Sequence, residues 1–549
     1  MKWLPRVVVL SLGCAAVAVA QPPELSSRPS SQGVASENAT VSRDASSVLR
    51  AGGSAADAAI AAALVGGVTA PTSSGLGGGG FVLVWDAARR APFLLDFRET
   101  APAALDATVF EQRPLPQEKV GHLVGVPGEA RGLFELHKRA GKLPWAQLVR
   151  FAEQRARLGY IVSPHLAAMI SGSRSPVASV PALAALFTIG GKPAAVGMRL
   201  VNLPWADTLK RLGAEGPEIL YSGAVAEELV AVARAHGSPL TMADFRDYKV
   251  VERQPLHARF EGYDVFTMPL PSAGGMTLAQ VLQLFSADEL RRLGFATPGY
   301  RHLLAEAMRG AIADRMRYLG DPAHQSVDMP GLLARSRLNE RRATIALDRT
   351  HALPRFGLEG GGTHHLVTSD RAGNVVSLTT TVNRLFGAKL VAEKSGIVLN
   401  DELDDFTARD AVKPFGMNQS PNRPRPGARP LSSMTPTLVL KAGKPVLALG
   451  GSGGPAIGTN VTQVLLGSLV FDQEPVFAVS APRVYVPTQN ATLLVEPGTS
   501  AEHIANLERR GEVVAITPVN STAVQVLRFD EPGPRGAADP RKHGQALVE

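Results

Sequence analysis

The sequence predicts an α+β protein with a four-layer αββα arrangement, in which two β-sheets pack face to face between layers of helices. Strand pairs occur in groups, and the helical patterns lie before and after these groups instead of alternating with single strands. The chain has 549 residues, of which 45% are hydrophobic and 19% charged, so it can bury a large core. We find no internal repeat and no long low-complexity linker, which is consistent with one large domain.

The first elements are predicted in the first hundred residues. Residues 43–68 have the pattern of two helices, and Ser54 is placed to cap the second, alanine-rich one. The apolar runs 81–85 and 93–97 follow a run of glycines and are joined by a short polar turn. This pattern is typical of a buried β-hairpin.

The rest of the chain is predicted to be helical first and then richer in strands. Residues 130–320 are mainly helical in pattern, whereas two hairpins, a helix and three short strands are expected after His364. The hairpins are predicted at 364–370 with 374–381 and at 437–440 with 445–449. The helix is predicted at 456–471, and the short strands at 492–496, 513–516 and 523–528. Residues 406–431 form a long loop of the kind that often serves as an active-site lid. Residues 531–549 are predicted to be a disordered tail.

Residues 1–20 have the features of a secretory signal peptide. The segment carries Lys2 and Arg6, continues with an apolar run over residues 7–19 and ends in small residues. A transmembrane anchor is the alternative, but the run is shorter than the roughly 20 residues that a bilayer requires. We therefore expect export to the periplasm or secretion, with no membrane anchor after signal removal. Lipid attachment to Cys14 stays open.

Composition excludes several classes of function. Cys14 is the only cysteine, so the exported chain would contain no disulfide, no catalytic thiolate and no zinc site with cysteine ligands. The formal charge is +8, but arginines and lysines are scattered and aromatic residues make up only 5%, so nucleic acid is not an expected partner. Neither a phosphate-binding loop nor a His-Glu-x-x-His zinc helix occurs in the sequence.

Residues 450–454 form a glycine-rich turn between a predicted strand and a predicted helix. The turn fits the Gly-x-Ser-x-Gly pattern of a nucleophile elbow, which would make Ser452 the nucleophile. That interpretation needs a later histidine, and only His503 and His543 follow. The alternative is a turn whose backbone N–H groups bind an anion or an oxyanion.

Thr363 follows three glycines and precedes His364 and a threonine-rich hairpin. On its own, such a segment is most often a flexible loop that leads into a strand. It also suits self-cleavage, because glycines permit unusual backbone conformations in which the Thr363 hydroxyl can attack the Gly362 carbonyl. Cleavage would expose an α-amine on Thr363, which can accept the proton of the neighbouring hydroxyl.

The motifs around Thr363 resemble the signature of the γ-glutamyltranspeptidases, which are N-terminal nucleophile hydrolases. The resemblance extends over nearly the whole chain after the signal segment. It is carried by residues 52–53, 57–59, 73–80, 96–99, 125–128, 363–365, 370, 373–374, 379–383, 386–387, 404–406, 429–434 and 453–454.

The resemblance implies a precursor that cuts itself between Gly362 and Thr363. Residues 21–362 would form a large subunit and residues 363–549 a small one, and the two would remain together as one αββα unit. The expected activity is that of a γ-glutamyltransferase and glutathione hydrolase. Its donors would be glutathione and related γ-glutamyl amides, and its acceptors would be water, amino acids or peptides, with neither a metal nor an organic cofactor.

The resemblance also assigns roles to individual residues. Thr363 would be the nucleophile, Thr381 would orient its hydroxyl, and the N–H groups of Gly453 and Gly454 would form the oxyanion hole. The remaining residues would bind the glutamyl group. Arg98, with Ser432 and Ser433, is assigned to its α-carboxylate, and Asn383, Glu402 and Asp405 to its α-ammonium.

Two other functions use the same residues. A cephalosporin or glutaryl acylase would have the same nucleophile but a substrate without the α-amino group, which Asp405 and Asn383 argue against. A non-catalytic protein that binds γ-glutamyl compounds would keep the pocket without turnover. His364 favours this second alternative, because the residue after the nucleophile is usually small in the family.

Overall fold

Thirteen strands form two antiparallel sheets in the computed structural model, which describes residues 32–111, 114–173, 175–351, 362–487, 492–517, 522–530 and 533–549. The predicted signal peptide, residues 1–20, lies outside the described residues. The strands are, in chain order, β1 (Gly33–Ser36), β2 (Gly79–Asp86), β3 (Ala91–Phe97), β4 (Val251–Arg253), β5 (Leu256–Phe260), β6 (Tyr263–Thr267), β7 (Gly362–Ser369), β8 (Val375–Asn383), β9 (Thr437–Lys441), β10 (Lys444–Ser452), β11 (Ala523–Asp530), β12 (Gly533–Ala538) and β13 (Gln545–Val548).

Sheet A has seven strands in the order β13-β1-β7-β8-β2-β3-β4, and sheet B has six in the order β12-β11-β10-β9-β6-β5. All three predicted hairpins are confirmed, as β2–β3, β7–β8 and β9–β10. The short strands predicted in the last sixty residues are also present. Two of them belong to a small separate sheet that consists of Val484–Tyr485, Thr492–Val495 and Val513–Ile516.

The longer helices form the two outer layers and the regions around them. They are α1 (Ala39–Arg50), α2 (Ala55–Thr69), α3 (Glu129–Ala140), α4 (Trp145–Leu158), α5 (Leu203–Glu215), α6 (Ala224–Ala235), α7 (Gly274–Leu284), α8 (Pro298–Tyr318), α9 (Arg335–Thr344) and α10 (Ile457–Leu469). Helices α1–α3 contact sheet A, and α7 and α10 contact sheet B. Strand β7 of sheet A contacts strand β10 of sheet B, so the layers follow the predicted αββα order.

The central strands of sheet A are buried on both faces, and their side chains divide between two cores. In β2, Val82 and Val84 belong to the core under α1–α3, whereas Phe81 and Leu83 belong to the core between the sheets. Successive side chains of a strand point to opposite faces, so a continuous apolar run fills both cores at once. This explains why these strands lack the alternation of polar and apolar residues that a solvent-exposed sheet shows.

Helix α2 begins where the sequence predicts. The Ser54 side chain accepts a hydrogen bond from the Asp57 N–H, and the Asp57 carboxylate accepts one from the Ser54 N–H. This capping box satisfies two of the free N–H groups at the start of a helix. All fifteen residues of the helix are buried, which fits its alanine-rich sequence because small side chains let a helix lie close to its neighbours.

The prediction of a disordered tail at residues 531–549 is wrong for the residues that the structure describes. Strand β12 pairs with β11 in sheet B, and β13 pairs with β1 at the edge of sheet A. The turn between them places Lys542 in the interior, where it is 5% exposed. The charged and glycine-rich composition of this segment concealed its order, because edge-strand pairing uses backbone groups that composition does not reveal.

Within the described part of the chain, none of the helices combines the length and the apolar character that a bilayer-spanning helix needs.

Candidate active site

One pocket contains most of the residues that the sequence analysis selected. The pocket lies where strands of the two sheets end. Nine of its lining residues were selected from the sequence and four were not. The selected residues that line it are Arg98, Thr363, Thr381, Asn383, Glu402, Asp405, Ser432, Ser433 and Gly454. The four additional residues are Arg315, Met434, Pro455 and Ile457. The pocket therefore joins segments that lie more than 350 positions apart in the sequence.

Thr363 and Thr381 face each other at the ends of the central strands of sheet A. They are paired in the β7–β8 register, and an irregularity in this register falls between Gly362 and Thr363. Their hydroxyl oxygens lie 3.5 Å apart. The Thr381 hydroxyl donates to the Gly362 carbonyl oxygen at 2.7 Å and accepts from the Asn383 N–H at 2.8 Å. The carbonyl next to Thr363 is thus already polarised by a neighbouring donor.

The glycine turn at the end of β10 reaches this pair of threonines through Gly454, which lines the same pocket, whereas Gly453 is not among the pocket's lining residues. Gly453 and Gly454 have φ angles of 109° and 72°, which favour glycine, and α10 begins three residues later. Ser452 is fully buried, and its hydroxyl accepts a hydrogen bond from Lys542. Among the described residues, the Ser452 hydroxyl is bonded to Lys542 and to no histidine, and Ser452 does not line the pocket, so the structure disfavours the nucleophile-elbow interpretation.

Arg98 lies at the inner end of the pocket and is 1% exposed. Its guanidinium pairs with the carboxylates of Glu402 and Asp405, and its Nε donates to the Pro430 carbonyl at 3.1 Å. Burial opposes the charge of Arg98, but the carboxylates outweigh this effect and raise its pKa. The predicted carboxylate-binding and ammonium-binding residues are therefore direct neighbours.

Arg98 is held in place by a second buried arginine. Arg429 donates to the Asp96 carboxylate and to the Arg98 carbonyl, both at 2.8 Å. Asp96 in turn accepts a hydrogen bond from the Arg98 N–H at 2.9 Å. The backbone at the end of β3 is therefore fixed by charge-assisted bonds, which orient the Arg98 side chain toward the pocket.

The other predicted substrate-binding residues have partners of their own. The Asn383 amide donates to the Asp401 carbonyl, and the Ser432 hydroxyl accepts from the Met434 N–H at 3.0 Å. Ser433 accepts from Arg315, which extends from α8. No sequence signal distinguished Arg315 from the other arginines, because its place in the pocket depends on how α8 packs.

The glycine run that leads into β2 is explained by close packing against β8, and its last two residues, Gly79 and Gly80, are part of β2 itself. A Cβ atom at Gly78 would collide with the Thr381 carbonyl oxygen, and one at Gly80 would collide with that of Thr379. Side chains at these positions would push β2 away from the strand that contains Thr381. The glycines thus let two central strands approach at the site.

Several buried carboxyl groups lie in the pocket or close to it in the sequence, and Glu129 lies near one of them. Burial raises the pKa of Glu99 to about 8, although the charge of Arg98 opposes the shift. Burial also raises the pKa of Glu129 to about 8, and the neighbouring Glu99 adds to this shift. The pKa of Asp401 rises to about 7 and that of Glu402 rises well above its usual value, again chiefly through burial. Glu99, Glu129 and Asp401 therefore retain protons at pH values where exposed carboxyls have lost them.

The raised pKa of Glu129 predicts a pH-dependent stability that a Glu129→Gln variant lacks. The folded pKa of about 8 exceeds the ordinary value of 4.5, so the stability contributed by Glu129 is fully present below pH 4.5. It is lost as the pH rises to 8, at about 1.4 kcal/mol per pH unit within this window. We expect urea unfolding to show a smaller loss of stability between pH 5 and pH 8 for the variant. The exposed Glu502→Gln change serves as a control, and parallel curves for wild type and Glu129→Gln would contradict the prediction.

His364 fits beside Thr363 because helix α2 has a glycine opposite it. The imidazole is 1% exposed, and a Cβ at Gly66 would lie 2.9 Å from two of its ring atoms. Burial lowers the pKa of His364, which favours the neutral ring. Neither ring nitrogen has a hydrogen-bond partner among the described residues. Gly66 thus leaves the space that the His364 ring occupies next to Thr363.

Among the described residues, one group has the composition of a metal site. His302, Glu306 and Glu512 have ligand atoms within 4.8 Å of one another. Arg309 already forms ion pairs with both glutamates, and His302 is bonded to Glu512 at 2.7 Å. Both carboxylates are therefore already paired with a guanidinium, and none of these residues lines the pocket around Thr363.

Comparison with known sequences gives one family over almost the whole chain. Residues 42–549 match the family model described as gamma-glutamyltranspeptidase. The chain is 35% identical to "Glutathione hydrolase 2" of Arabidopsis thaliana over 539 residues, which cover 93% of this chain and 92% of the plant protein. It is 33% identical to "Glutathione hydrolase proenzyme" of Bacillus subtilis (strain 168) over 542 residues, which cover 94% and 91% of the two chains.

Comparison with solved structures shows that the fold is similar over its full length. The structure of a cephalosporin acylase from Bacillus halodurans superposes with a TM-score of 0.86 at 26% sequence identity. The superposition covers 98% of this chain and 99% of the acylase. Both outer helical layers and both sheets are therefore common to the two proteins.

Proposed function

The chain belongs to the gamma-glutamyltranspeptidase family, as its motifs predicted, and we propose that it is a self-cleaving glutathione hydrolase and γ-glutamyltransferase. The pairing of Thr363 with Thr381, in a pocket that Gly454 also lines, is the observation that carries this proposal. Thr363 attacks the γ-glutamyl amide of glutathione or a related compound, and the amine leaves. Water, an amino acid or a peptide then takes the glutamyl group.

Self-cleavage precedes catalysis. The Thr363 hydroxyl attacks the Gly362 carbonyl carbon, the C–N bond breaks, and the Thr363 nitrogen takes the proton to become an amine. Water hydrolyses the resulting ester, which frees the Gly362 carboxylate and the Thr363 hydroxyl. The hydrogen bond from Thr381 to the Gly362 oxygen, at 2.7 Å, supports this step because it stabilises charge that develops on that oxygen. The name of the Bacillus subtilis relative, a proenzyme, agrees with it.

The two products stay together as one heterodimer. In sheet A, β1–β4 come from residues before the cut, whereas β7, β8 and β13 come from residues after it. In sheet B, β5 and β6 come from before the cut and the other four strands from after it. Separation of the subunits would break both sheets and expose the core between them, which the hydrophobic effect opposes.

The pocket matches a γ-glutamyl group by charge. An α-amino acid end carries one carboxylate and one ammonium next to each other, and Arg98 lies directly beside Glu402 and Asp405. The substrate carboxylate binds to Arg98 with Ser432 and Ser433, and the ammonium binds to Asp405, Glu402 and Asn383. The N–H groups of Gly453 and Gly454 donate to the oxyanion that forms at the attacked carbonyl.

Export is part of the proposal. Residues 1–20 have the composition of a secretory signal, and the chain acts in the periplasm or outside the cell after its removal.

Intact mass and turnover test the proposal together. We expect the purified wild type to give two fragments, the smaller of which starts at Thr363, and to hydrolyse a γ-glutamyl anilide. Brief exposure to substrate should add the mass of one glutamyl group to the small subunit. An uncut chain that binds glutamate without turnover would instead support the non-catalytic alternative.

The acylase alternative is favoured by the close structural similarity to the cephalosporin acylase. It differs from our proposal in the substrate, which lacks the α-ammonium. The carboxylates of Glu402 and Asp405 in the pocket argue against it, because a substrate without the α-ammonium would offer them no positive group to bind. Rates on γ-glutamyl and glutaryl anilides distinguish the two, and faster hydrolysis of the glutaryl compound would support the acylase.

A further inference from the structure

Lys542 occupies the space between the two sheets, directly behind Thr363. Its side chain is 6% exposed. The Nζ atom donates to the Thr363 carbonyl oxygen at 3.0 Å, to the Glu37 carboxylate at 2.9 Å and to the Ser452 hydroxyl. An ammonium has three N–H donors, so each of them has an acceptor.

The three acceptors belong to three separate segments. Glu37 lies between β1 and α1, Thr363 lies at the start of β7 in sheet A, and Ser452 ends β10 in sheet B. Ser452 is also the residue before Gly453 of the glycine turn. The second oxygen of Glu37 accepts from the His365 N–H at 3.1 Å, so the nucleophile strand is held at two points.

We propose that Lys542 is a positioning residue that fixes the nucleophile strand relative to the oxyanion turn, an inference that rests on the proposed function. The nucleophile and the oxyanion donors are carried by different sheets, so the distance between them depends on how the sheets are placed. Apolar contact between sheets is non-directional. The hydrogen bonds of Lys542 are directional, and they join the two sheets at the site itself.

Stability alone does not explain a lysine at this position. A buried ion pair is often no more stabilising than apolar side chains of similar volume, because both charges lose their hydration. Removal of only one partner, by contrast, leaves a buried unpaired charge and strongly destabilises the fold. A test must therefore separate the loss of charge balance from the loss of positioning.

The double variant Lys542→Met/Glu37→Gln achieves this separation. Lys542→Met alone leaves the Glu37 carboxylate unpaired, so we expect a large loss of thermal stability. The added Glu37→Gln change removes that charge while an amide oxygen still accepts from the His365 N–H, so stability should recover. We expect kcat on a γ-glutamyl anilide and the rate of self-cleavage to stay about 10²-fold below wild type, which is the effect of a misplacement of about 1 Å. KM should change little, because Arg98 and its partners are unaffected.

Two further variants complete the design. Ser452→Ala removes only the bond to sheet B, and we expect an intermediate loss of kcat with unchanged KM. Arg309→Met removes a buried cation that pairs with Glu306 and Glu512 outside the pocket, so it should lower stability without lowering the kcat of the folded enzyme.

The outcomes are distinguishable. A double variant with wild-type kcat and a wild-type cleavage rate overturns the positioning role, as does a loss confined to KM. A fall in kcat for Arg309→Met as large as that of the double variant also overturns it, because the loss of kcat would then follow from general destabilisation of the fold. A wild type that neither cuts itself nor turns over overturns the proposed function and this inference with it, whereas an active wild type leaves the proposed function intact whatever Lys542 does.

Discussion

A Thr363→Ala variant is expected to remain a single uncut chain under conditions in which the wild type cuts itself into two chains. Its hydrolysis of γ-glutamyl anilides should fall by about 10⁴-fold or more, as is typical when a covalent nucleophile is removed. The Thr363 hydroxyl is the attacking group in both self-cleavage and acyl transfer, so alanine abolishes both. Intact mass and the initial rate of anilide release measure the two effects separately.

Thr363→Ser is the matched control for this prediction. Serine keeps the hydroxyl and, after cleavage, the α-amine, and it loses only a buried methyl group. We expect this variant to cut at the same bond, more slowly than wild type, and then to form the glutamyl-enzyme. A Thr363→Ala chain that still cuts between residues 362 and 363 would refute the assignment of the nucleophile.

Arg98→Met is expected to lower kcat/KM for γ-glutamyl substrates by about 10²–10³-fold. Truncation of a buried, hydrogen-bonded charge pair costs about 2–5 kcal/mol, because the partner charge remains unpaired. The kcat/KM of Arg98→Lys should lie between those of the wild type and Arg98→Met, since an ammonium keeps the charge but lacks the planar fork that binds a carboxylate. Arg98→Met should also be less stable, because Glu402 and Asp405 would then face each other without a cation.

A substrate without the α-carboxylate shows whether Arg98 acts on that group. We expect the wild type to prefer a γ-glutamyl anilide strongly over a 4-aminobutanoyl anilide, and Arg98→Met to lose this preference. Arg155→Met is a suitable control, because Arg155 pairs with Asp44 of α1, away from the pocket, and should leave the preference unchanged. A preference that survives in Arg98→Met would show that another group binds the carboxylate.

Much of the site was predictable because its parts are coded in short segments. The three glycines before Thr363, the threonine-rich hairpin and the glycine turn at 453–454 are each visible within a few residues. Nine of the residues selected from such motifs line one pocket. Their individual roles remain predictions, which the variants described above test.

The parts that were missed depend on contacts between distant segments. Arg315 looks like any other arginine of a helix until α8 packs against Ser433. The fit of His364 depends on Gly66, which lies almost 300 positions earlier in the chain. Neither contact leaves a local pattern in the sequence, so neither was predicted.

The hairpins, the capped helix α2, the layered fold class and the candidate nucleophile could all be predicted from the sequence alone. Hydrophobic periodicity, capping residues and glycine positions act over a few residues, so they can be recognised without the rest of the chain. The pairing of the last residues as β12 and β13, and the position of Lys542 behind Thr363, became visible only in the folded chain. Edge pairing and the burial of a charge depend on which partners the packed sheets bring together, and this information is spread over residues 37, 363, 452 and 542.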